Sequence, residues 1–319
     1  MVIENENENI KHNINILIDN LIRNLDISHF NNVDIVFEGG LFNGSYLIGA
    51  LYYLKQLEDK KIIKIHRISG CSIGALISLI YYTNNYKLSD IIYKITYQHF
   101  KKKLNVNIFS KIFYTIRPLI TSDVMKKING NFYITYYNLK KNKQIVKNKY
   151  KNVDELFEMI RRSCHCPYVI DNTFSYKNKY VDGFYPFIFN DELALSNKIL
   201  YFNIHNFDKI TNSISIKNEK TNYSRILYGI LDIHTFFITN YSTSMCSCVN
   251  NWGLIEKINN FVFIYILNTF IYLLHKAFLF NNVIQKIKKI DKHKYIENNE
   301  NNNSIIKGFY FYFLKTYCV

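Results

Sequence analysis

Three short segments of the sequence carry residue types that could perform covalent chemistry. In the first, Gly70, Ser72 and Gly74 form the pattern G-x-S-x-G. Ile62–Ile68 before it is typical of a buried strand, and the apolar run that continues to Tyr82 predicts a helix. A nucleophilic serine needs this context, because the tight turn exposes its hydroxyl and the helix N-terminus favours negative charge. An ordinary strand-to-helix turn with a capping serine is the alternative.

The second segment is a glycine-bearing loop that follows a predicted strand over Val33–Phe37. Gly39, Gly40 and Gly44 precede a helix predicted over residues 45–57. Backbone N–H groups in such a loop point to the carboxyl end of the sheet, where they could hold an acyl oxyanion or a phosphate. The nucleotide-binding pattern G-x-G-x-x-G and a Walker lysine are both missing, which disfavours a nucleotide. A plain tight turn is the other interpretation.

The third segment is Asp182-Gly183, at the end of a short strand predicted over Lys179–Val181. A carboxylate near the Ser72 hydroxyl could take its proton directly. An isolated Asp-Gly is more often a simple turn, so this segment gains weight only from the other two.

The elements that must position these segments follow a strand–helix–strand–helix order, which predicts an α/β fold with a mostly parallel central sheet flanked by helices. We expect an N-terminal helix or tail over residues 1–31, a catalytic domain over 32–210, and a helical, apolar C-terminal extension over 211–319. Further predicted elements are a helix over 10–25, mainly helical structure over 88–127, a hairpin of 131–138 with 143–147, a helix over 153–163, a last strand over 199–204, and helices from about 223 onward.

The order strand, GGxxxG, helix, strand, GxSxG, helix, and then Asp-Gly resembles the patatin-like phospholipase family. Residues 154–167 also resemble the helix and following turn that precede the aspartate of that family. In this turn Cys164 and Cys166 occupy places where small residues pack, so we interpret them as structural rather than metal ligands. The resemblance extends over roughly residues 32–205.

The resemblance implies a serine lipid acyl hydrolase of the phospholipase A type that needs no metal and no cofactor. Ser72 would attack the acyl carbonyl of a lipid or phospholipid, and Asp182 would act as its base without a histidine. Main-chain N–H groups around Gly39, Gly40 and Leu41 would receive the oxyanion. Gly44, Gly70, Gly74 and Gly183 are the remaining motif glycines.

Departures from the family pattern keep two alternatives open. Leu41 replaces a glycine, Asn43 replaces a basic residue, and Phe184 follows Asp-Gly where a small residue is usual. A patatin-fold protein that binds membranes with little or no catalysis is therefore the second hypothesis. A triad esterase of the α/β-hydrolase type, with His205 or His234 as the histidine, is the third.

The formal net charge of +15 favours an anionic partner. The sequence shows no zinc finger, basic-region heptads or RNA-binding aromatic signature, so we expect an anionic membrane rather than nucleic acid. Phe261–Phe280 is almost wholly apolar and close to bilayer length, and the lysine-rich stretch Lys286–Lys294 follows it. This segment could span a membrane, lie in its interface or pack in the core.

The first ten residues are rich in Glu and Asn and do not have the pattern of a secretory signal. We therefore expect an intracellular, membrane-associated protein with free thiols, attached peripherally or by a single span. The sequence does not indicate the oligomeric state.

Overall fold

The computed structural model describes residues 2–23, 25, 30–192, 196–205, 209, 213, 215–216 and 221–292; for residues 2–11 and 281–292 it describes only the course of the main chain. The side chains of the lysine-rich stretch Lys286–Lys294 lie outside the described part.

One sheet of seven strands forms the centre of the molecule, in the order β4-β3-β2-β1-β6-β7, with β5 also pairing with β3. The pairs β3-β2, β2-β1 and β1-β6 are parallel, whereas β4, β5 and β7 pair antiparallel. The strands are β1 (Asn32–Phe37), β2 (Lys64–Cys71), β3 (Phe132–Asn138), β4 (Lys143–Lys147), β5 (Tyr180–Val181), β6 (Lys198–Phe202) and β7 (Cys246–Cys248).

Helices cover the sheet and extend the chain beyond it. They are α1 (Val2–Ile22), α2 (Gly44–Asp59), α3 (Ile73–Thr83), α4 (Lys87–Lys103), α5 (Phe109–Ile116), α6 (Ser122–Ile128), α7 (Val153–Ser163), α8 (Tyr223–Thr239) and α9 (Leu254–Lys292). Short 3₁₀ turns occupy Leu41–Asn43, Arg117–Leu119 and Val249–Asn251.

The parallel centre of the sheet follows from its residue types. In β1 every residue after Asn32 is buried, as expected for a strand with helices on both faces. α3 is buried from Gly74 to Ile80, so it forms the middle of the core beneath the sheet. The predicted α/β class, with its mostly parallel sheet and C-terminal helix, is confirmed.

α2 and α8 cross at two glycines. A Cβ atom at Gly49 would lie 2.0 Å from the carbonyl oxygen of Ile226, and one at Gly229 would lie 2.0 Å from that of Tyr46. The two backbones therefore touch without intervening side chains, and this contact fixes α8 against the helix that begins at Gly44.

Several predicted elements need correction. The first helix begins at Val2 rather than at residue 10, and β2 runs over Lys64–Cys71 rather than ending at Ile68. The strand predicted as the last is followed by β7, which pairs with β6 over three residues. Three residues are too few to show alternation, so the pattern did not predict this strand. The domain boundaries remain a prediction.

Candidate active site

Ser72 lies at the sharp turn between β2 and α3, with φ 51° and ψ −126°. Residues other than glycine rarely adopt positive φ, so the surrounding contacts must hold this conformation. The backbone N–H of Ser72 donates to the Ser163 hydroxyl at 2.9 Å, and its carbonyl oxygen accepts from the Cys164 thiol at 3.1 Å. These residues at the C-terminal end of α7 therefore stabilise the conformation of the turn.

The glycines around Ser72 are required by close approach of backbone. A Cβ atom at Gly70 would lie 2.7 Å from the amide nitrogen of Ala75, and one at Gly74 would lie 2.6 Å from the carbonyl oxygen of Glu38. At Gly183 a Cβ atom would lie 2.4 Å from the carbonyl oxygen of Thr135. These motif glycines thus let the three segments meet at one end of the sheet.

Asp182 comes to Ser72 from the end of β5. Its side chain is buried, and the Ser72 hydroxyl interacts with its carboxyl group. Burial raises the pKa of Asp182 to about 6, although the bonds from Ser72 and from the Phe184 N–H (2.9 Å) oppose the shift. A carboxylate with a pKa near neutrality suits proton transfer to and from a hydroxyl.

The loop after β1 lies beside the same hydroxyl. A Cβ atom at Gly39 would lie 2.8 Å from the Cβ of Ser72. Gly40 has φ 151° and Leu41 has φ 46°, so Leu41 holds the conformation for which the family uses glycine. The N–H of Gly39 interacts with the Cys71 thiol and lowers its pKa, which burial and nearby carboxylates raise overall.

Buried polar groups hold this loop from the far side. The Asn43 side chain is fully buried, and its NH₂ group donates to the carbonyl oxygens of Ile204 (3.1 Å) and Lys209 (2.8 Å). Its side-chain oxygen accepts from Arg225 at 3.1 Å. Arg225, on α8, also donates to the carbonyl oxygen of Ser215 at 3.0 Å. We call Asn43 and Arg225 the polar brace.

Glu38, next to the loop, extends this support. Its side chain is buried, and its carboxyl group accepts from the Tyr201 hydroxyl and from the N–H of Ile204 at 3.1 Å. Burial is the main cause that raises the pKa of Glu38. The end of β6 is thereby tied to both ends of the loop.

The Asp182 turn is held differently. Phe184 has φ 57°, and the carbonyl oxygen of Tyr185 accepts from Thr135 at 3.0 Å and from Gln144 at 2.6 Å. The Tyr185 hydroxyl donates to Asn268 of α9 at 3.1 Å. An apolar cluster that includes Phe184 joins this turn to α9, with members Tyr137, Leu139, Phe174, Val181, Leu267, Ile271 and Phe278.

A largely apolar cavity lies against Ser72 and Leu41. It has about 790 Å³, counting the part that opens to solvent. Side chains from α3, α4, α5 and the segment between α4 and α5 form most of its wall, among them Leu76, Ile77, Ile92, Ile108, Phe109 and Ile112. Such a wall suits a hydrocarbon chain.

Among the described residues, no hydrogen bond joins the ring of His205 or His234 to Ser72 or Asp182. His234 contacts the Tyr53 hydroxyl at 2.8 Å on the α2–α8 side of the molecule. His205 follows β6, and its N–H donates to Asn203 at 2.8 Å. His165 is buried with Thr173 as its side-chain partner at 3.2 Å, and its carbonyl oxygen accepts from Asp182 N–H at 2.9 Å.

The structure brings Ser72, Asp182 and the Gly39–Leu41 loop together, and the catalytic roles predicted for them remain predictions. Cys164 is buried and Cys166 partly buried in the core, which agrees with their predicted packing role. The polar brace was not predicted, because Arg225 lies far along the chain in a segment predicted only as helical. The cavity was not predicted either, although the apolar spacing of residues 88–127 was the available signal.

The patatin-like phospholipase family model matches residues 35–132. The matched segment contains the Gly39–Gly44 loop and Ser72, and it ends before Asp182. The predicted resemblance is confirmed for this segment, and it supports a lipid acyl hydrolase family. No curated protein matches the chain.

Proposed function

We propose that this protein is a serine lipid acyl hydrolase that cleaves fatty acyl esters with Ser72 as nucleophile and Asp182 as base. The observation that carries the proposal is the placement of the buried Asp182 carboxyl group beside the strained turn of Ser72, at the wall of an apolar cavity. The family match supports the same chemistry for the segment that contains Ser72.

In the first step the Ser72 Oγ forms a bond to the acyl carbonyl carbon while Asp182 takes the hydroxyl proton. The tetrahedral oxyanion is received by main-chain N–H groups around Gly39, Gly40 and Leu41. The alcohol leaves with the proton from Asp182 as the carbonyl re-forms.

Water completes the cycle. Asp182 takes a proton from a water molecule, whose oxygen attacks the acyl-Ser72 carbonyl, and the proton returns to Ser72 as the fatty acid leaves. The apolar cavity accepts the acyl chain during both steps.

Labelling with a fluorophosphonate probe, followed by fatty acid release from phospholipid vesicles, tests this proposal. We expect wild-type protein to be labelled, Ser72→Ala not to be labelled, and both Ser72→Ala and Asp182→Asn to lose at least about a thousandfold of turnover. His205→Ala and His234→Ala are the matched controls and should keep their activity. Loss of activity in either control, with an intact fold, would favour the triad esterase.

A folded wild-type protein that the probe does not label would reject the proposal. The positive φ of Leu41 would then indicate a loop that does not bind an oxyanion. The hypothesis of a membrane-binding protein without catalysis would replace that of a hydrolase.

A further inference from the structure

α9 exposes an apolar surface that the rest of the described structure does not cover. Its first 27 residues, Leu254–Phe280, are long and apolar enough to cross a membrane. Within this range Ile271 is the single buried residue, whereas Phe261 is 70% and Ile266 60% exposed. A helix of the soluble core would be mostly buried, so core packing does not explain this segment.

The exposed apolar side chains surround most of the helix. Because a helix turns by about 100° per residue, the exposed Phe261, Val262 and Phe263 point to three different sides. The remaining side carries Leu267, Asn268, Ile271, His275 and Phe278, which face the domain. A protein partner would have to wrap around roughly two thirds of a helix about 40 Å long, whereas lipid does so without a matching surface.

The contacts with the domain fix how the helix can meet a bilayer. The domain-facing side chains lie in the second half of the apolar stretch, and a groove at its middle is lined by Asn142, Lys143 and Gln144 opposite Tyr265 and Thr269. These polar residues belong to the β3–β4 hairpin, and β4 lies at the edge of the sheet. If α9 spanned the membrane, β4 would enter the hydrocarbon together with Lys143. An edge strand with unpaired backbone groups and a lysine side chain are both too costly to bury in lipid.

We infer that α9 is an in-plane membrane anchor, which lies along one leaflet with its domain-facing side turned away from the lipid. Lysines 286, 288, 289 and 292 occur directly after the apolar stretch, where they complement anionic headgroups. The exposed face of α9 therefore binds one leaflet of an anionic bilayer. This inference does not depend on whether Ser72 is catalytic.

Vesicle binding tests the anchor. We expect the full chain to float with vesicles of phosphatidylcholine and phosphatidylserine, and to bind less to phosphatidylcholine alone. The double variant Phe261→Gln/Ile266→Gln should reduce partitioning at least about tenfold. Tyr114→Gln, which removes another strongly exposed aromatic side chain on α5, should leave partitioning unchanged. Thermal unfolding verifies that each variant is folded.

Depth measurements separate the in-plane from the spanning orientation. Single Trp substitutions at Ile255, Ile266, Leu273 and Phe280, which share one exposed face of the helix, are quenched by lipids brominated at shallow or deep positions, with wild type as the Trp252 background. Equal depth at all four positions supports the anchor. Shallow ends with a deep middle would show a span and overturn it. Self-association without vesicle binding would overturn it in favour of a second copy.

Discussion

The loop after β1 and the turn after β5 both place a non-glycine residue at positive φ beside Ser72, Leu41 in the first and Phe184 in the second. The loop is held by buried polar groups of the domain itself, Asn43 and Arg225. The Asp182 turn instead contacts α9 through Tyr185 and an apolar cluster. The two halves of the proposed catalytic machinery are thus supported by different parts of the molecule.

This difference determines where a bilayer can act on the site. The polar brace is buried within the domain, so we expect membrane binding to leave the conformation of the loop after β1 unchanged. α9 exposes one side and holds the Asp182 turn with the other. Membrane contact should therefore influence the proposed base rather than the loop after β1, and changes on each side test this division.

The largest effect is expected from Asp182→Asn, which removes the proposed base. Turnover should be lost, yet the fold should become more stable at about pH 8, because the buried carboxylate is ionised there. The raised pKa of about 6, against the ordinary 3.8, means that ionisation destabilises the folded state by up to about 3 kcal/mol. Calorimetric unfolding temperatures of both proteins measure this gain.

The pH dependence gives the sign of the same effect. The contribution of protonated Asp182 to stability is present below its unfolded pKa and is lost as the pH rises through about 6. Wild-type turnover should rise over the same window, and the stability advantage of Asp182→Asn should vanish near pH 4. An advantage that is constant with pH would show that Asp182 is not the group responsible.

Arg225→Met tests the loop side. It leaves the buried Asn43 carbonyl without its arginine partner, so we expect a loss of about 1–3 kcal/mol in the free energy of unfolding and a tenfold to hundredfold loss in turnover. The loss in kcat should be the same on vesicles and on a soluble short-chain ester. Arg225→Lys, which keeps the charge, should recover part of it. A loss in kcat that is greater on vesicles than on the soluble ester would show that the loop side also depends on the membrane.

Tyr185→Phe tests the base side with a smaller change. It removes the hydrogen bond to Asn268 and keeps the ring, so we expect roughly a fivefold loss of turnover, equivalent to about 1 kcal/mol. The loss should be greater on vesicles than on the soluble ester. Tyr137→Phe is the control, since that hydroxyl bonds Asn142 rather than α9. Equal losses of turnover in Tyr185→Phe and Tyr137→Phe would show that the contact with α9 does not support the site.

The smallest effect is expected from Leu41→Gly. Glycine relieves the strain of φ 46° but loses the partly buried leucine side chain, so stability should change by no more than about 1 kcal/mol. The fluorophosphonate labelling rate should stay within roughly threefold of wild type. A gain of a hundredfold or more would mean that Leu41 alone had blocked the oxyanion loop.

The strand–turn–helix units around Gly39–Gly44 and Ser72 were predictable, because their apolar runs and glycines are local signals. The same holds for α7, which matches its predicted range of 153–163. The approach of Asp182 to Ser72 followed from the family resemblance, since no local pattern joins residues so far apart.

The support of the site was not predictable from local patterns. Arg225 has an ordinary place in an apolar helix, and only the fold brings it to Asn43. Likewise, the residues of α9 have the composition of a core helix, a span or an interfacial helix. What distinguishes these three is the set of neighbours around Ile271 and Asn268, which the sequence does not contain.

The crossing of α2 and α8 at Gly49 and Gly229 has a consequence for inherited variation. Arg225 lies one turn of helix before Gly229, so the spacing of the two backbones sets how far its guanidinium reaches. An alanine at either glycine would push the helices apart, although neither residue touches the cavity. Loss-of-function alleles should therefore accumulate at these two codons, outside every motif by which the protein would be recognised.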